Sequence, residues 1–322
     1  MEKKRLVSII IPAFNVDYYV EKTIESILNQ TYTNIEIICV DDGSTDQTLQ
    51  ILSDLEAKDT RVKVFSKKNE GVTLARKYGF EQAQGEYIGF VDADDLIEPM
   101  MYKKLYDNLI EYNADISHCG HDIVRLNGKR ESFYVTGRLA QQDKISGIKS
   151  LISGSFEPSL CNKLYRYNLL HNLFNSDVMD CSIKINEDLL MNYYLFKQAQ
   201  TTVFEDVCLY HYLKREGSAS SVAVSSKMIW DQINVKQIIL KDSIGSEYEE
   251  AARKANLITC LTRYNSLLKA NSNEFRDDLE KIRSIVKKYE NDLYLLNTKQ
   301  RSGAKMLIRT PNLYNKLAKS FS

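Results

Sequence analysis

Val7-Ser8-Ile9-Ile10-Ile11-Pro12-Ala13-Phe14-Asn15 opens the pattern from which the fold is read. A short run rich in β-branched residues and closed by proline suits a strand buried on both faces, as in a parallel sheet. Runs of the same kind return at Ile35 to Val40, Val62 to Phe65 and Tyr87 to Val91. Between them the hydrophobic period lengthens: Val20, Ile24, Ile27 and Leu28 share one helical face, as do Leu49, Leu52 and Leu55. Ser44 followed by Gln47 has the spacing of a capping box and predicts the start of the second helix. Strand, loop and helix thus repeat three times before Asp92, which predicts an α/β fold with helices flanking a parallel sheet.

In open α/β sheets ligands gather beyond the carboxyl ends of the strands. The loops in that position begin Pro12-Ala13-Phe14-Asn15, Asp41-Asp42-Gly43-Ser44 and Asp92-Ala93-Asp94-Asp95. Two carboxylates one residue apart at a strand end can face one hard cation, and oxygen ligands suit Mg2+ or Mn2+ holding phosphates. The competing reading is a helix N-terminus decorated with acids, since Asp95 precedes Leu96-Ile97-Glu98-Pro99. Asp41-Asp42-Gly43-Ser44 reads either as a turn with a helix cap or as a base-binding turn. In the second case one carboxylate accepts the ring N–H of a pyrimidine, which favours uracil.

With 322 residues the chain exceeds one ordinary hydrophobic core. Past residue 100 helix-like stretches, Met101 to Tyr112 and Asp188 to Gln198, alternate with strand candidates Asp115 to Cys119 and Thr202 to Glu205. After Val222 the pattern is helical, with Trp230, Ile233, Ile238, Ile239, Leu257, Leu261, Leu267 and Leu268 at helical intervals. The expected organisation is a catalytic domain over 1–222 and a helical region over 223–322, packed on the first domain or on a second subunit of a homo-oligomer.

Lys plus Arg and Asp plus Glu balance at 43 each, so no global field draws the protein onto nucleic acid. No window approaches the ~18 apolar residues that span a bilayer, and a cytoplasmic location is expected. The six cysteines are scattered without Cys-x-x-Cys spacing, which suits packed thiols.

The motif series resembles the glycosyltransferases of family 2, which share the GT-A fold. The likeness lies in Val7 to Asn15, in Val40-Asp41-Asp42-Gly43-Ser44-Thr45-Asp46, in Gly71-Val72-Thr73-Leu74-Ala75-Arg76 and in Phe90 to Asp95, and extends over about the first 220 residues. It implies a Rossmann-like nucleotide-binding sheet and an inverting transfer from a UDP-sugar donor to a glycan or lipid-linked acceptor in the synthesis of bacterial surface polysaccharide. Residue by residue, it implies that Pro12, Ala13, Phe14 and Asn15 line the nucleoside, that Asp42 contacts uracil and that Arg76 approaches the diphosphate or base. Asp92, next to Ala93, would meet ribose or sugar hydroxyls, and Asp94, with Asp92, the metal. In Asn186-Glu187-Asp188 the catalytic base would be Asp188, with Glu187 beside it. An attacking hydroxyl must lose its proton, and a positioned carboxylate can take it. Lys214-Arg215-Glu216-Gly217-Ser218-Ala219-Ser220 resembles the family's Arg-x-x-Ser-x-Ser loop, which gives Arg215 and Ser218 phosphate contacts. Lys163, in Cys161-Asn162-Lys163-Leu164-Tyr165, is a donor or acceptor contact or a surface residue, and His211 is a candidate at the metal.

From Lys299 to the C-terminus the charged residues are Lys299, Arg301, Lys305, Arg309, Lys316 and Lys319, with no acid. Met306-Leu307-Ile308, Leu313, Tyr314, Leu317 and Phe321 interleave with them, which predicts a tail lying on an anionic membrane surface. Two rival functions are a nucleotidyltransferase, which would show a Gly-rich basic loop after the first strand, and a non-catalytic sugar-nucleotide-binding protein, which would be indifferent to Asp188.

Overall fold

A computed structural model describes residues 5–133, 135–178, 182–214, 224–271 and 273–320. The apolar runs become strands where expected: β1 (Val7–Ala13), β2 (Ile35–Asp41), β3 (Val62–Ser66) and β4 (Tyr87–Phe90), alternating with helices α1 (Val20–Leu28), α2 (Thr48–Lys58) and α3 (Val72–Gln82). All seven residues of β2 are buried, as a strand covered on both faces must be. Gly79 sets how closely α3 lies on the sheet, because a Cβ there would stand 2.5 Å from Ile10 Cγ2.

The next elements are β5 (Leu96–Ile97), α4 (Met101–Glu111), β6 (Ile116–Arg125), β7 (Arg130–Ser132), β8 (Leu139–Asp143), α5 (Lys144–Ser153), β9 (Lys163–Arg166), α6 (Tyr167–Phe174), α7 (Glu187–Gln198) and β10 (Thr201–Lys214). One mixed sheet runs in the order β3-β2-β1-β4-β9-β6-β10-β5, with β7 beside β6 and β8 beside β10. β1 to β4 are parallel, so the loops after them leave the same edge. β6 and β10 are far longer than their apolar stretches suggest. Register shifts between Glu205 and Cys208 and between Cys208 and Tyr210 break the two-residue period by which the strand could be recognised.

The Ser44 to Gln47 capping box is not formed. Helix α2 starts at Thr48 with no side-chain cap from Gln47, because the Ser44 hydroxyl accepts the Asn15 amide at 3.0 Å instead. Leu52 and Leu55 are buried as expected, whereas Leu49 is exposed.

The chain divides into two compact units, and not by a single cut at 222. The first comprises Met1–Gly147, Phe156–Cys181 and Met191–Ser221; the second comprises Ile148–Ser155, Ser182–Leu190 and Val222–Ser322. The short excursions join the second unit through bonds to its helices: Lys236 donates to the Ile152 carbonyl, and the Lys184 amide to Asp231. This unit holds α8 (Ser226–Asp242), α9 (Glu249–Asn271), α10 (Arg276–Lys288), a 3-10 turn (Glu290–Leu295), α11 (Thr298–Arg309) and α12 (Pro311–Ser320). Ile233, Leu257, Leu261, Leu267 and Leu268 build its own core.

That core takes in part of the tail. Leu307 and Ile308 are buried in it, their carbonyls accept from Arg283, and the Tyr314 hydroxyl donates to Asn265. Arg301 is spent on the carbonyls of Leu293, Tyr294 and Leu296. Of the supposed lipid-facing residues, Leu313 and Leu317 stay exposed, and Phe321 lies outside the described residues. Among the described residues no helix is long and apolar enough to cross a membrane.

Candidate functional site

The parallel strands deliver their loops to a cleft of about 300 Å³ in the first unit. Pro12, Ala13, Phe14 and Asp42 line it, together with Asn69, Gly71, Val72 and Ala75 from the β3–α3 connection and the first turn of α3. A hollow of about 590 Å³ lies at the amino ends of the strands, around Arg5, Gly85, Glu86 and Arg166. Despite its size it is on the wrong edge, since parallel sheets gather ligands at the carboxyl ends.

The first two loops are stitched together. Asn15 takes a positive φ of 51°, and its Oδ1 accepts the Thr45 amide at 2.8 Å while its own amide donates to Ser44. Asn15 therefore braces the loop while Phe14, 46% exposed, faces outward as a flat apolar wall.

The two acids of the second loop separate in role. Asp41 is absorbed by its turn, accepting the Ser44 amide at 3.2 Å and the Ser66 hydroxyl at 3.0 Å. Asp42 lines the cleft. Its Oδ1 accepts from Lys67 Nζ at 3.0 Å and from the Glu70 amide at 3.1 Å, and its Oδ2 accepts the Gly71 amide at 2.8 Å. A carboxylate offers about four acceptor positions, so one is left for a ligand N–H. Gly71 makes this possible with φ 96° and ψ 162°, a conformation closed to other residues. Gly43 is equally constrained: a Cβ would sit 2.8 Å from the Asn69 amide.

Arg76, on α3 and nearly fully buried, places Nη2 3.0 Å from Asp92 Oδ1. The acidic turn is held by three bonds from two elements. Thr23 on α1 donates to the Ala93 carbonyl at 3.0 Å, and the Tyr210 hydroxyl on β10 donates to Asp95 Oδ2 at 2.6 Å. The Leu213 amide, also on β10, donates to Asp95 Oδ1 at 2.8 Å. Burial, and then the charges of Asp92 and Asp94, push the Asp95 carboxyl well above its ordinary range. Asp95 is thus the structural acid, while Asp92 and Asp94 are half-buried. A turn whose acids repel one another and offer hard oxygen donors fits a divalent cation of the Mg2+ or Mn2+ type.

His211 lies on β10 opposite Leu96. Its Nδ1 is 2.7 Å from Asp122 Oδ1 and its Nε2 2.8 Å from Glu98 Oε1. Coordination of a cation by His211 requires giving up one of these bonds. Cys208 completes a possible ligand set with Asp122 and His211, and with no metal bound, burial pushes its thiol up to about 12.

Lys163 is not a surface residue. It is fully buried, and its ammonium donates to the carbonyls of Glu157 and Ser159 and to Asn162 Oδ1. Three donors meet three acceptors, which pins the segment before β9. Arg215 and Ser218 lie outside the described residues.

Glu187 and Asp188 belong to the second unit and occupy the first turn of α7, where the helix dipole favours acids. Asn186 before them takes φ 69°, a left-handed conformation that asparagine tolerates better than most residues and that sets the direction of the helix start. Missed in the sequence were Asn69, Lys67, Glu98 and Tyr210; Gly71 and Val72 were seen as a motif without a role. Lys67 and Asn69 follow a strand end, the one cue that could have marked them.

The family model described as glycosyl transferase family 2 matches residues 8–174. EpsJ of Bacillus subtilis (strain 168), described as an uncharacterized glycosyltransferase, is 31% identical over 87% of this chain and 83% of its own length. The glycosyltransferase GlyG of Streptococcus pneumoniae serotype 4 is 29% identical over 84% of this chain and 93% of its own length. Among solved structures, residues 1–349 of S. aureus TarS in complex with UDP-GlcNAc superpose with a TM-score of 0.66 at 22% identity, covering 97% of this chain and 89% of that one.

Proposed function

The chain belongs to glycosyltransferase family 2 and has the GT-A fold, and on that premise we propose that it moves a sugar from a UDP-sugar to a hydroxyl of a glycan or lipid-linked acceptor, with inversion, in bacterial surface polysaccharide synthesis. The observation that carries this reading is the cleft in which Asp42 keeps one acceptor position beside the apolar wall of Pro12 and Phe14. A uracil ring stacks on such a wall and donates its N–H to such a carboxylate. TarS, crystallised with UDP and with UDP-GlcNAc, supports the choice of nucleotide.

Arg76, with Arg215, is assigned to the diphosphate, where negative charge grows as the leaving group departs. Asp94 and Asp92 are the proposed ligands of Mn2+ or Mg2+, with His211 a third ligand once its bond to Glu98 is released. When bound, the cation supplies Lewis-acid stabilisation of the diphosphate. Asp188, half-buried in the first turn of α7, is assigned to accept the proton of the attacking hydroxyl, with Glu187 as its neighbour; a single base and no separate nucleophile give inversion.

Replacing Asp188 by Asn tests this. UDP affinity should change less than about twofold while transfer falls on the order of 10²- to 10⁴-fold. Unchanged transfer in a folded Asp188→Asn variant would remove the base assignment, and absence of UDP binding to the wild-type chain would remove the donor.

A further inference from the structure

The helical unit contains a cavity of about 680 Å³ between α5, α8, α9 and the start of α11. Three lysines line it, Lys149 from α5, Lys236 from α8 and Lys254 from α9, together with Ser153, Thr259 and Asn297; no carboxylate is among the lining residues. Lys149 and Lys254 are exposed at its mouth, and Lys236 is half-buried. Among the described residues the Lys236 ammonium has one hydrogen bond, a long one of 3.4 Å to the Ile152 carbonyl. Loss of water around it, with no acid to compensate, brings its pKa down to about 8. Glu247 and Glu250 line a neighbouring hollow that shares Lys149 and Lys254 but not Lys236.

A desolvated cation without a counter-ion lowers stability, and such a group is commonly retained where a ligand supplies the missing charge. Ammonium groups act as point charges suited to phosphate, and with no arginine among the described lining residues, charge rather than a planar fork selects the anion. Three cations match a dianionic phosphate monoester better than a carboxylate. The volume exceeds that of phosphate alone and falls in the range of small-ligand sites, while Ser153, Thr259 and Asn297 offer hydrogen bonds to hydroxyls.

We propose that this cavity binds a phosphoryl group carried on a polyol or sugar, with Lys236 as its inner contact and Lys149 and Lys254 closing over it. The site lies wholly in the second unit and shares no residue with the nucleotide cleft, so it stands independently of the transferase reading.

The test is calorimetric titration of the full chain with sn-glycerol 3-phosphate, alongside glycerol and glucuronate. Saturable binding of the phosphate ester is expected, with no binding of glycerol and at least about tenfold weaker binding of glucuronate. Lys236→Met, and separately the surface pair Lys149→Glu with Lys254→Glu, should each weaken the phosphate ester on the order of tenfold while melting as cooperatively as the wild type. No saturable binding, equal binding of glucuronate, or unchanged affinity in both folded variants would each overturn the assignment.

Discussion

The Arg76 guanidinium and the Asp92 carboxylate meet at 3.0 Å, the first nearly fully buried and the second one-third exposed. The pair couples the two halves of the candidate site. Arg76 stands on the helix whose first turn lines the nucleoside cleft, while Asp92 opens the acidic turn pinned by α1 and β10. A cation held on a rigid helix and aimed at that turn needs no reorganisation when a diphosphate arrives.

Arg76→Met should therefore act on stability and binding together. Breaking a buried pair costs about 3–5 kcal/mol, and the exposure of Asp92 reduces this to about 1–3 kcal/mol. UDP affinity should fall on the order of tenfold, and Arg76→Lys should restore little of it because a point charge replaces the planar fork. Thermal melts and UDP calorimetry check this; a loss of stability with unchanged affinity would reduce Arg76 to a structural residue.

Asp42→Asn tests base recognition. The new amide NH2 must face either Lys67 and the Glu70 amide, in place of Oδ1, or the Gly71 amide and the free position in the cleft, in place of Oδ2, setting donor against donor. In the second orientation the uracil N–H meets no acceptor, whereas the unprotonated ring nitrogen of cytosine does better. The expected result is a fall of about tenfold or more in the ratio of UDP to CDP affinity, measured by competition. An unchanged ratio would place the base elsewhere.

For the cation, melting is followed with UDP against rising Mn2+. The wild type should gain about 5 °C at saturation, and Asp94→Asn should lose the gain. Glu98→Gln weakens the competitor for His211 Nε2 and should lower the Mn2+ concentration at half-effect, while His211→Ala should raise it. Identical Mn2+ curves for these last two variants and the wild type would confine His211 to bridging Glu98 and Asp122.

Much of this arrangement was legible in the sequence because it is local. Four apolar runs specify four strands, and the residues just past each run are the residues at the sheet edge. Which acid of each cluster the fold itself takes up was not legible from local pattern, since it depends on partners far along the chain: Ser66 takes Asp41, and Tyr210 takes Asp95. The same holds for Lys163, whose burial follows from carbonyls presented by an irregular segment without a hydrophobic period. Which apolar residues of the tail turn inward was not legible, because alternating cations and apolar residues look alike on a membrane helix and on one closing a core. Leu307 belongs to the second case, so Leu307→Ala should cost about 2–5 kcal/mol in a denaturant melt, whereas Leu313→Ala, at an exposed position, should stay within about 0.5 kcal/mol.

Lys236 gives a pH dependence whose sign is opposite to that of a salt-bridged lysine. Its pKa is lowered from 10.5 to about 8 in the folded chain, so between those values the unfolded chain holds more protons and stability rises with pH. Below about pH 8 both states carry the proton and the full cost of burying the charge is present. The other charged lining groups are Lys149 and Lys254, and the start of α11 contributes the uncharged Asn297 and Gln300; loss of water on burial is the cause of the lowering. The shift corresponds to an upper limit on the order of 3 kcal/mol, and partial exposure brings it to about 1–3 kcal/mol. Lys236→Met should therefore be more stable than the wild type by about 1–3 kcal/mol at pH 7, and the difference should shrink as pH rises through the window from about 8 to 10.5. Taking the difference between the two proteins cancels the titration of every other group. A difference that stays flat from pH 7 to 10.5, or a wild type more stable than the variant throughout, would show that the ammonium is fully solvated and carries no burial cost.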